Sequence, residues 1–594
     1  MSTAVPAAAV PAVSGPAVSV PTDPAADPAT APRPAAPAVA GPPAQPPEQS
    51  LVHVRGAYHR VTATYGWLPG VTVERSAGLA VWRPLGGVLD EPRLVDLTGV
   101  PDAGGVRSPC LSRADGVFHL VHRAAGGAAR ADRESRAVLV TAPSLHGPWS
   151  DPVLLPGPIL DPFLFHDDGP GGDGRSRLLW REPSGDAGGG ARPGLLLQEY
   201  DRARRALTGP VHRLVTEPPA DGGPRRQRGQ AGQPGDGRGP GRHPDTPGPV
   251  GHPRLHARDG WYYLLGTDPD RAGAGGAVTV ARARAVTGPY RADPAGPLVR
   301  SGPGQPFPGG AVDLLPAPGG GWLLAAAAPD QGRGLVLQRV RWSADGWPRA
   351  VGRATPAARR GGAGGATTAG RAARAGGFGG ARLGPEWRTL RRHADPSWLV
   401  LADGRLQLRG DGPLAAGHRL SLVARPAAGQ GFDFRVVVSG EPDSPLCSAG
   451  LVLFRAGTHW HHLHLGWDEA LGRVLRLRVR AGDDEGEPAA PVPVGQGPLR
   501  LRLSAEEGRA RFRWYDTRGG RGRTGWRTIG PVFDPGPGGG PTAGAGALDG
   551  GPAGPAYVGV FAQDGTGRRS RATFGEPYYR VAGSGVSSSA EDVV

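Results

Sequence analysis

An all-β protein with two folded bodies is what this sequence predicts, and three observations carry the prediction. Gly and Pro number 100 and 66 among 594 residues, so stretches able to hold a helix are scarce. Short apolar runs ended by turn residues recur through the first half, and strictly alternating apolar and Arg-bearing runs fill the second. The length exceeds what one hydrophobic core usually serves, which favours two domains plus unfolded segments.

Residues 1–46 are rich in Ala, Pro and Val with a single basic residue, Arg33. They predict a disordered or polyproline-like tail. Between 47 and 345, Asp115-Gly116-Val117-Phe118, Asp259-Gly260-Trp261-Tyr262 and Gly320-Gly321-Trp322-Leu323 each place a tight turn ahead of a buried strand. Such a unit, repeated at wide intervals, is what a β-propeller makes once per blade. Within this region residues 221–249 contain one hydrophobic residue, Ala231, so they cannot bury a strand and form an irregular insert. A Gly/Ala/Arg-rich linker is expected over 346–382. From 383 to 583 alternation returns, as in Leu499-Arg500-Leu501-Arg502-Leu503, and predicts an antiparallel sandwich with an Arg-bearing outer face. Residues 584–594 close the chain as a loose tail.

The formal charge of +15 and pI near 10.7 invite a nucleic-acid reading. All 68 basic residues are Arg, however, with no Lys, no Asn and two Ile, which is the mark of a GC-rich genome. The Arg residues are spread along the chain rather than gathered into a stripe, so no nucleic-acid footprint forms. Cys110 and Cys447 lie in separate halves and build neither a disulfide framework nor a metal knot. No apolar run reaches the roughly 18 residues needed to span a bilayer. Pro6, Pro11 and Pro16 interrupt a start that lacks the basic region of a secretory signal, so a cytoplasmic location is the default expectation. His459, His461, His462 and His464 alternate between the two faces of a strand, so four ligands do not converge and no metal is expected. No cofactor is called for.

Longer motifs point to a family. Gly66-Trp67-Leu68-Pro69-Gly70-Val71, Val95-Asp96-Leu97-Thr98-Gly99-Val100, Ser108-Pro109-Cys110-Leu111-Ser112 and Leu160-Asp161-Pro162-Phe163-Leu164-Phe165 follow one another. They resemble glycoside hydrolase family 43 of the β-xylosidase/α-L-arabinofuranosidase type. Ala394-Asp395-Pro396-Ser397-Trp398, Trp467-Asp468-Glu469-Ala470-Leu471-Gly472 and Val558-Gly559-Val560-Phe561-Ala562 are similar to the C-terminal domain of its β-xylosidases. The resemblance implies a five-bladed β-propeller followed by a concanavalin A-like β-sandwich. It also implies an oligosaccharide substrate, with no nucleic-acid or membrane partner; it leaves oligomerisation open.

The family inverts the anomeric centre with an Asp base, a Glu acid and a second Asp that tunes the acid, base and acid standing roughly 6.5–9.5 Å apart. By resemblance, Asp161 is the tuning residue. Glu48, in Pro46-Pro47-Glu48-Gln49-Ser50, stands where the family's base Asp belongs; the alternative is the solvated end of the tail. Alignment back from Trp261 puts the acid position on Gly251, which cannot transfer a proton. Glu217, in Thr216-Glu217-Pro218, is the nearest alternative acid. Arg107 replaces a family Trp, and Gly309-Gly310-Ala311 replaces a His-Gly-Ser segment. Arg333 matches the family's substrate-binding Arg, and Tyr65 and Trp67 offer an aromatic wall for a pentose unless they are core residues. Two functional readings follow: a hydrolase of xylo- or arabino-oligosaccharides, or a catalytically impaired relative that binds sugar or regulates. A third account of 221–249 is a pair of compensating reading-frame shifts in GC-rich DNA, which resequencing would expose by recovering a Thr-Glu-Gly-Pro segment.

Overall fold

The computed structural model describes residues 48–102, 104–125, 136–183, 194–218, 251–268, 276–300, 310–327, 334–357, 377–427, 431–516, 525–535 and 556–581. The expected N-terminal tail, the insert at 221–249, the C-terminal tail and the family-like Arg333 lie outside the described residues. Within them the protein is all-β, with only a 3-10 turn at Leu414–Ala416.

Five sheets form the propeller. Among the described residues four are four-stranded and the fourth blade carries six strands. The innermost strands, in blade order, are Gln49–Val54, Gly105–Ala114, Leu160–His166, Gly251–Arg258 and Val312–Pro316. They adjoin one another around a ring that closes between the fifth and the first. The hairpin signals act as expected: Ala114 pairs with Val117 around Asp115-Gly116, and Arg258 with Trp261 around Asp259-Gly260. In both turns the two central residues have positive φ (48° and 82°; 50° and 71°), the backbone that makes Asp-Gly favourable in a two-residue hairpin.

Each blade is buried on both faces. Val61 and Val73 of blade one pack on Leu111, Phe118 and Leu120 of blade two, whereas Val121, Leu139 and neighbours turn to Leu164 and Trp180 of blade three. Two further apolar seams join blades three to four and four to five. The last, with Leu51, Tyr58, Leu315 and Leu323, joins five to one. Among the described residues no strand is exchanged at this final seam. Closure rests on that cluster, on Tyr58 Oη donating to Pro316 O (2.7 Å), and on the Leu51 N–H donating to Asp313 Oδ2 (2.7 Å).

Asp313 also accepts from Arg254 Nε (2.6 Å), an ion pair buried at both ends. The Arg254 guanidinium stands 5.1 Å over the Phe163 ring. One buried cation from blade four thus touches blades three and five, and through Asp313 reaches blade one.

The expected linker begins later than 346. Pro348–Pro356 is the outer strand of the fifth blade, pairing with Leu335–Trp342. Its residues are mostly exposed, and an outer strand that buries little needs little apolar sequence, which is why its Gly/Arg/Ala composition resembled a linker.

Among the described residues the sandwich consists of nine- and seven-stranded sheets. In Leu499–Glu506 the leucines are buried and the intervening residues outward, as alternation dictates. Arg502 and Arg513 face each other in register, and Asp433 accepts from Arg502 Nε at 2.9 Å, offsetting like-charge repulsion on that face. His461 stacks on Phe533 (4.1 Å), and His462 on His464 (4.4 Å), with Phe561 beside His462. These rings are packed in the sandwich, where burial pushes the His461 imidazole down to about 4.

The two bodies share a sheet. Trp67–Leu68, from the propeller, pairs with Arg388–Leu390 as an edge of the nine-stranded sheet. Asp102 accepts from the Arg391 guanidinium and from the Gly457 N–H (2.8 Å). Among the described residues no helix is long and apolar enough to cross a membrane.

Asp313→Ala would strand the buried Arg254 charge. It is expected to lower the unfolding free energy by about 3–5 kcal/mol in urea titrations; a loss under about 1 kcal/mol would show that the ion pair does not hold the ring.

Candidate active site

The site grows from three irregularities in the propeller's innermost strands. Register shifts fall between Arg107 and Cys110, between Leu160 and Phe163, and between Gly251 and Arg254. Inside each shift one non-glycine residue adopts a left-handed backbone: Ser108 (φ 46°), Asp161 (φ 49°) and His252 (φ 46°). A bulge adds a residue to one strand and re-aims its side chain. Left-handed backbone at non-glycine positions is costly and gathers at functional sites. Three consecutive blades therefore carry the same strained device near the start of the innermost strand.

The three re-aimed residues meet. Ser108 Oγ lies 3.5 Å from Asp161 Oδ1 and 3.3 Å from Glu48 Oε2. The Ser108 N–H donates to the same Glu48 oxygen, and Arg107 Nη1 pairs with Glu48 Oε1 at 3.2 Å. On the other side, Asp161 Oδ2 accepts from Arg181 Nε (2.9 Å) and from the His252 N–H (3.4 Å). His252 Nδ1 is 3.6 Å from Asp161 Oδ1. Glu48, Asp161 and the segment preceding Trp261 thus come together at one end of the ring.

Burial alone would push the Asp161 carboxyl up. The charges of His252, Arg181 and Arg123, with the Arg181 hydrogen bond, more than offset it and hold the group well below the usual carboxylate range. Asp161 is accordingly a fixed anion.

Tyr65 (φ 55°) is half-buried beside this group, with the Arg107 guanidinium 5.2 Å over its ring. Burial and the Glu48 carboxylate push its phenol well above the ordinary value. Trp67 does something else: it is buried, stacks on Tyr557 at 3.9 Å and meets Phe454 edge-on. It belongs to the propeller–sandwich seam rather than to an aromatic wall for sugar. The two-residue strand it starts joins the sandwich sheet, and that commits its ring.

Glu217 is not brought to the site. Thr216–Glu217 pairs with Tyr290–Ala292 at the edge of blade four opposite to Gly251–Arg258. Four strand spacings separate the two edges, about 19 Å at ~4.8 Å each. Its carboxylate is exposed near Arg291 (4.0 Å). Gly251 is buried at the start of its strand, its carbonyl accepting from Thr267 Oγ1 (3.2 Å). Gly310 and Ala311 directly precede the fifth innermost strand, while Gly309 lies outside the described residues. Sequence reasoning missed Ser108, Arg181 and His252; the only signal was their position beside Arg107, at the end of the Ser176–Arg181 strand, and next to Gly251.

Because Asp161 is favoured in its ionised form by the fold, its contribution to stability is present above the ordinary carboxylate range, about pH 4, and is lost as pH falls below it. Asp161→Asn is expected to be less stable than wild type by about 1.5–3 kcal/mol, the worth of a charge-assisted hydrogen bond. That gap should be flat above about pH 5 and narrow below about pH 4 in denaturant unfolding. A gap that widens on acidification would contradict this.

Comparison with known proteins fits the geometry. The family model "Glycosyl hydrolases family 43" matches residues 43–348, and "Beta xylosidase C-terminal Concanavalin A-like domain" matches 377–580. The chain is 28% identical over 581 residues to "Xylosidase/arabinosidase 43B" of Humicola insolens, covering 90% of this chain and 96% of that protein. It is 28% identical over 480 residues to a "Putative beta-xylosidase" of Escherichia coli, covering 73% and 79%. The crystal structure of a xylan β-1,4-xylosidase from Bacillus halodurans superposes with a TM-score of 0.73 at 28% identity, over 91% of this chain and 98% of that one. A propeller domain matched over more than half the chain, followed by the matching sandwich, places this protein in glycosyl hydrolase family 43, among the xylosidases and arabinosidases.

Proposed function

We propose that the protein hydrolyses terminal pentosides of xylo- or arabino-oligosaccharides with inversion at the anomeric carbon. The observation that carries this reading is the meeting of Glu48 and Asp161 across Ser108 at the propeller's centre. Glu48 acts as the base: its carboxylate, oriented by Arg107 and the Ser108 N–H, takes a proton from the attacking water. Relative to Asp it carries one more methylene, and Arg107 occupies ground that a stacking ring would otherwise hold. Both features favour a slower enzyme, because a displacement of about 1 Å can cost on the order of a hundredfold in rate. Asp161 serves as a fixed anion that orients its cationic neighbours. Arg333, on sequence grounds, joins the substrate contacts, and Tyr65 flanks the base.

Gly251 favours a second reading, in which the pocket binds a pentose without cleaving it. Nitrophenyl β-xyloside and nitrophenyl α-L-arabinofuranoside separate the two. The enzyme reading expects turnover of at least one, reduced by about 10²-fold or more in Glu48→Gln, and a first-formed sugar of inverted configuration by NMR. Absence of turnover, with xylose or arabinose binding still measurable by calorimetry, supports the binder instead.

A further inference from the structure

We propose that His252 is the proton donor of this site, taking over the task that Gly251 cannot perform. The inference rests on the hydrolase reading above and names the group that completes it.

Four observations converge on this residue. His252 occupies the third of the three bulges, the counterpart in blade four of the positions held by Ser108 and Asp161. It keeps a bulky side chain at φ 46°, where glycine would sit without strain. Its ring lies beside the Asp161 carboxylate, Nδ1 being 3.6 Å from Oδ1, while its backbone N–H points to the other oxygen. Its side chain is 31% exposed, and no described residue hydrogen-bonds Nε2. One ring nitrogen therefore faces a permanent anion and the other is left for a ligand, the division of labour that orients an imidazole for proton transfer. The neighbouring charges around Asp161 come from Arg181 and Arg123, both unable to act as acids because guanidinium does not release its proton in proteins.

In the step so described, Glu48 removes a proton from water as the oxygen attacks the anomeric carbon. The bond from that carbon to the glycosidic oxygen breaks, and Nε2 of the His252 imidazolium protonates the departing oxygen. The products are one pentose and one alcohol. Glu48 is left protonated and His252 neutral, and a proton passing from the first to solvent and from solvent to the second restores both.

The test compares a dinitrophenyl pentoside, whose leaving group departs without protonation, with the matching methyl pentoside, whose leaving group needs it. His252→Asn, which tolerates left-handed backbone, should lose about 10²–10⁴-fold on the methyl pentoside and less than about threefold on the dinitrophenyl one. His252→Gly, the residue this backbone favours, should repeat the pattern and regain methyl pentoside turnover when free imidazole is added. Adding Gly251→Glu to His252→Asn should restore at least tenfold. Equal losses on both substrates in both variants, without rescue by imidazole, or no loss on either, would overturn the proposal while leaving the hydrolase reading intact. Wild-type protein inert on both substrates would overturn the hydrolase reading and this role with it.

Discussion

At the propeller's axis the Arg254 side chain donates to one oxygen of Asp313, and the other oxygen accepts the backbone N–H of Leu51. Blade four, blade five and blade one are thereby linked through a single carboxylate, with Phe163 of blade three against the guanidinium. A buried ion pair repays its desolvation only where geometry is good and further hydrogen bonds satisfy it. Here one further bond is local, from Arg254 Nη1 to Pro253 O (3.1 Å), and the other comes from Leu51 of blade one, so satisfying the carboxylate and closing the ring go together. The apolar seams between blades supply the bulk of the burial and are non-directional. The Arg254–Asp313 pair supplies direction, and with it the register in which the innermost strands present their ends.

The site depends on that register. Ser108, Asp161 and His252 sit in bulges on three different blades, and a shift of one strand by one residue would turn its bulge side chain to the opposite face. Three of the propeller's left-handed non-glycine residues, Ser108, Asp161 and His252, sit near the beginnings of innermost strands. That placement suits a structure that must aim polar groups into a shared space, since regular strands send alternate side chains into the seams instead. The sandwich touches the same region from the side. It takes Trp67–Leu68 into its sheet two residues after Tyr65, so the chain beside the proposed base Glu48 is anchored by both bodies.

Much of the architecture was legible because its signals are local. Asp115-Gly116 and Asp259-Gly260 demand a two-residue turn, and the alternation in Leu499–Leu503 demands a half-buried strand; neither needs knowledge of the rest of the chain. Asp161 stands out in the sequence because a long motif surrounds it. Where the reading failed, the deciding contact lay far away in sequence. Trp67 looks the same whether it meets a sugar or Tyr557. Glu217 precedes the expected acid position in the chain, yet a six-stranded blade puts it on the far edge. Pro348–Pro356 lacks an apolar pattern because an outer strand buries little. A bulge is one residue in a run of period two and leaves no mark that Gly251-His252-Pro253 would display. Arg254 and Asp313, 59 positions apart, carry no local sign of being partners.

One closed ring brings Glu48, Asp161 and His252 to a common space, and the proposed function requires that a pentose fit there. A crystal structure of the protein with xylose or arabinose bound would decide this. The sugar is expected at the mouth of the propeller, its anomeric carbon facing Glu48 and its C1 oxygen within hydrogen-bond reach of His252 Nε2. A pentose bound elsewhere, or a ring in which Glu48 and Asp161 no longer share Ser108, would contradict it.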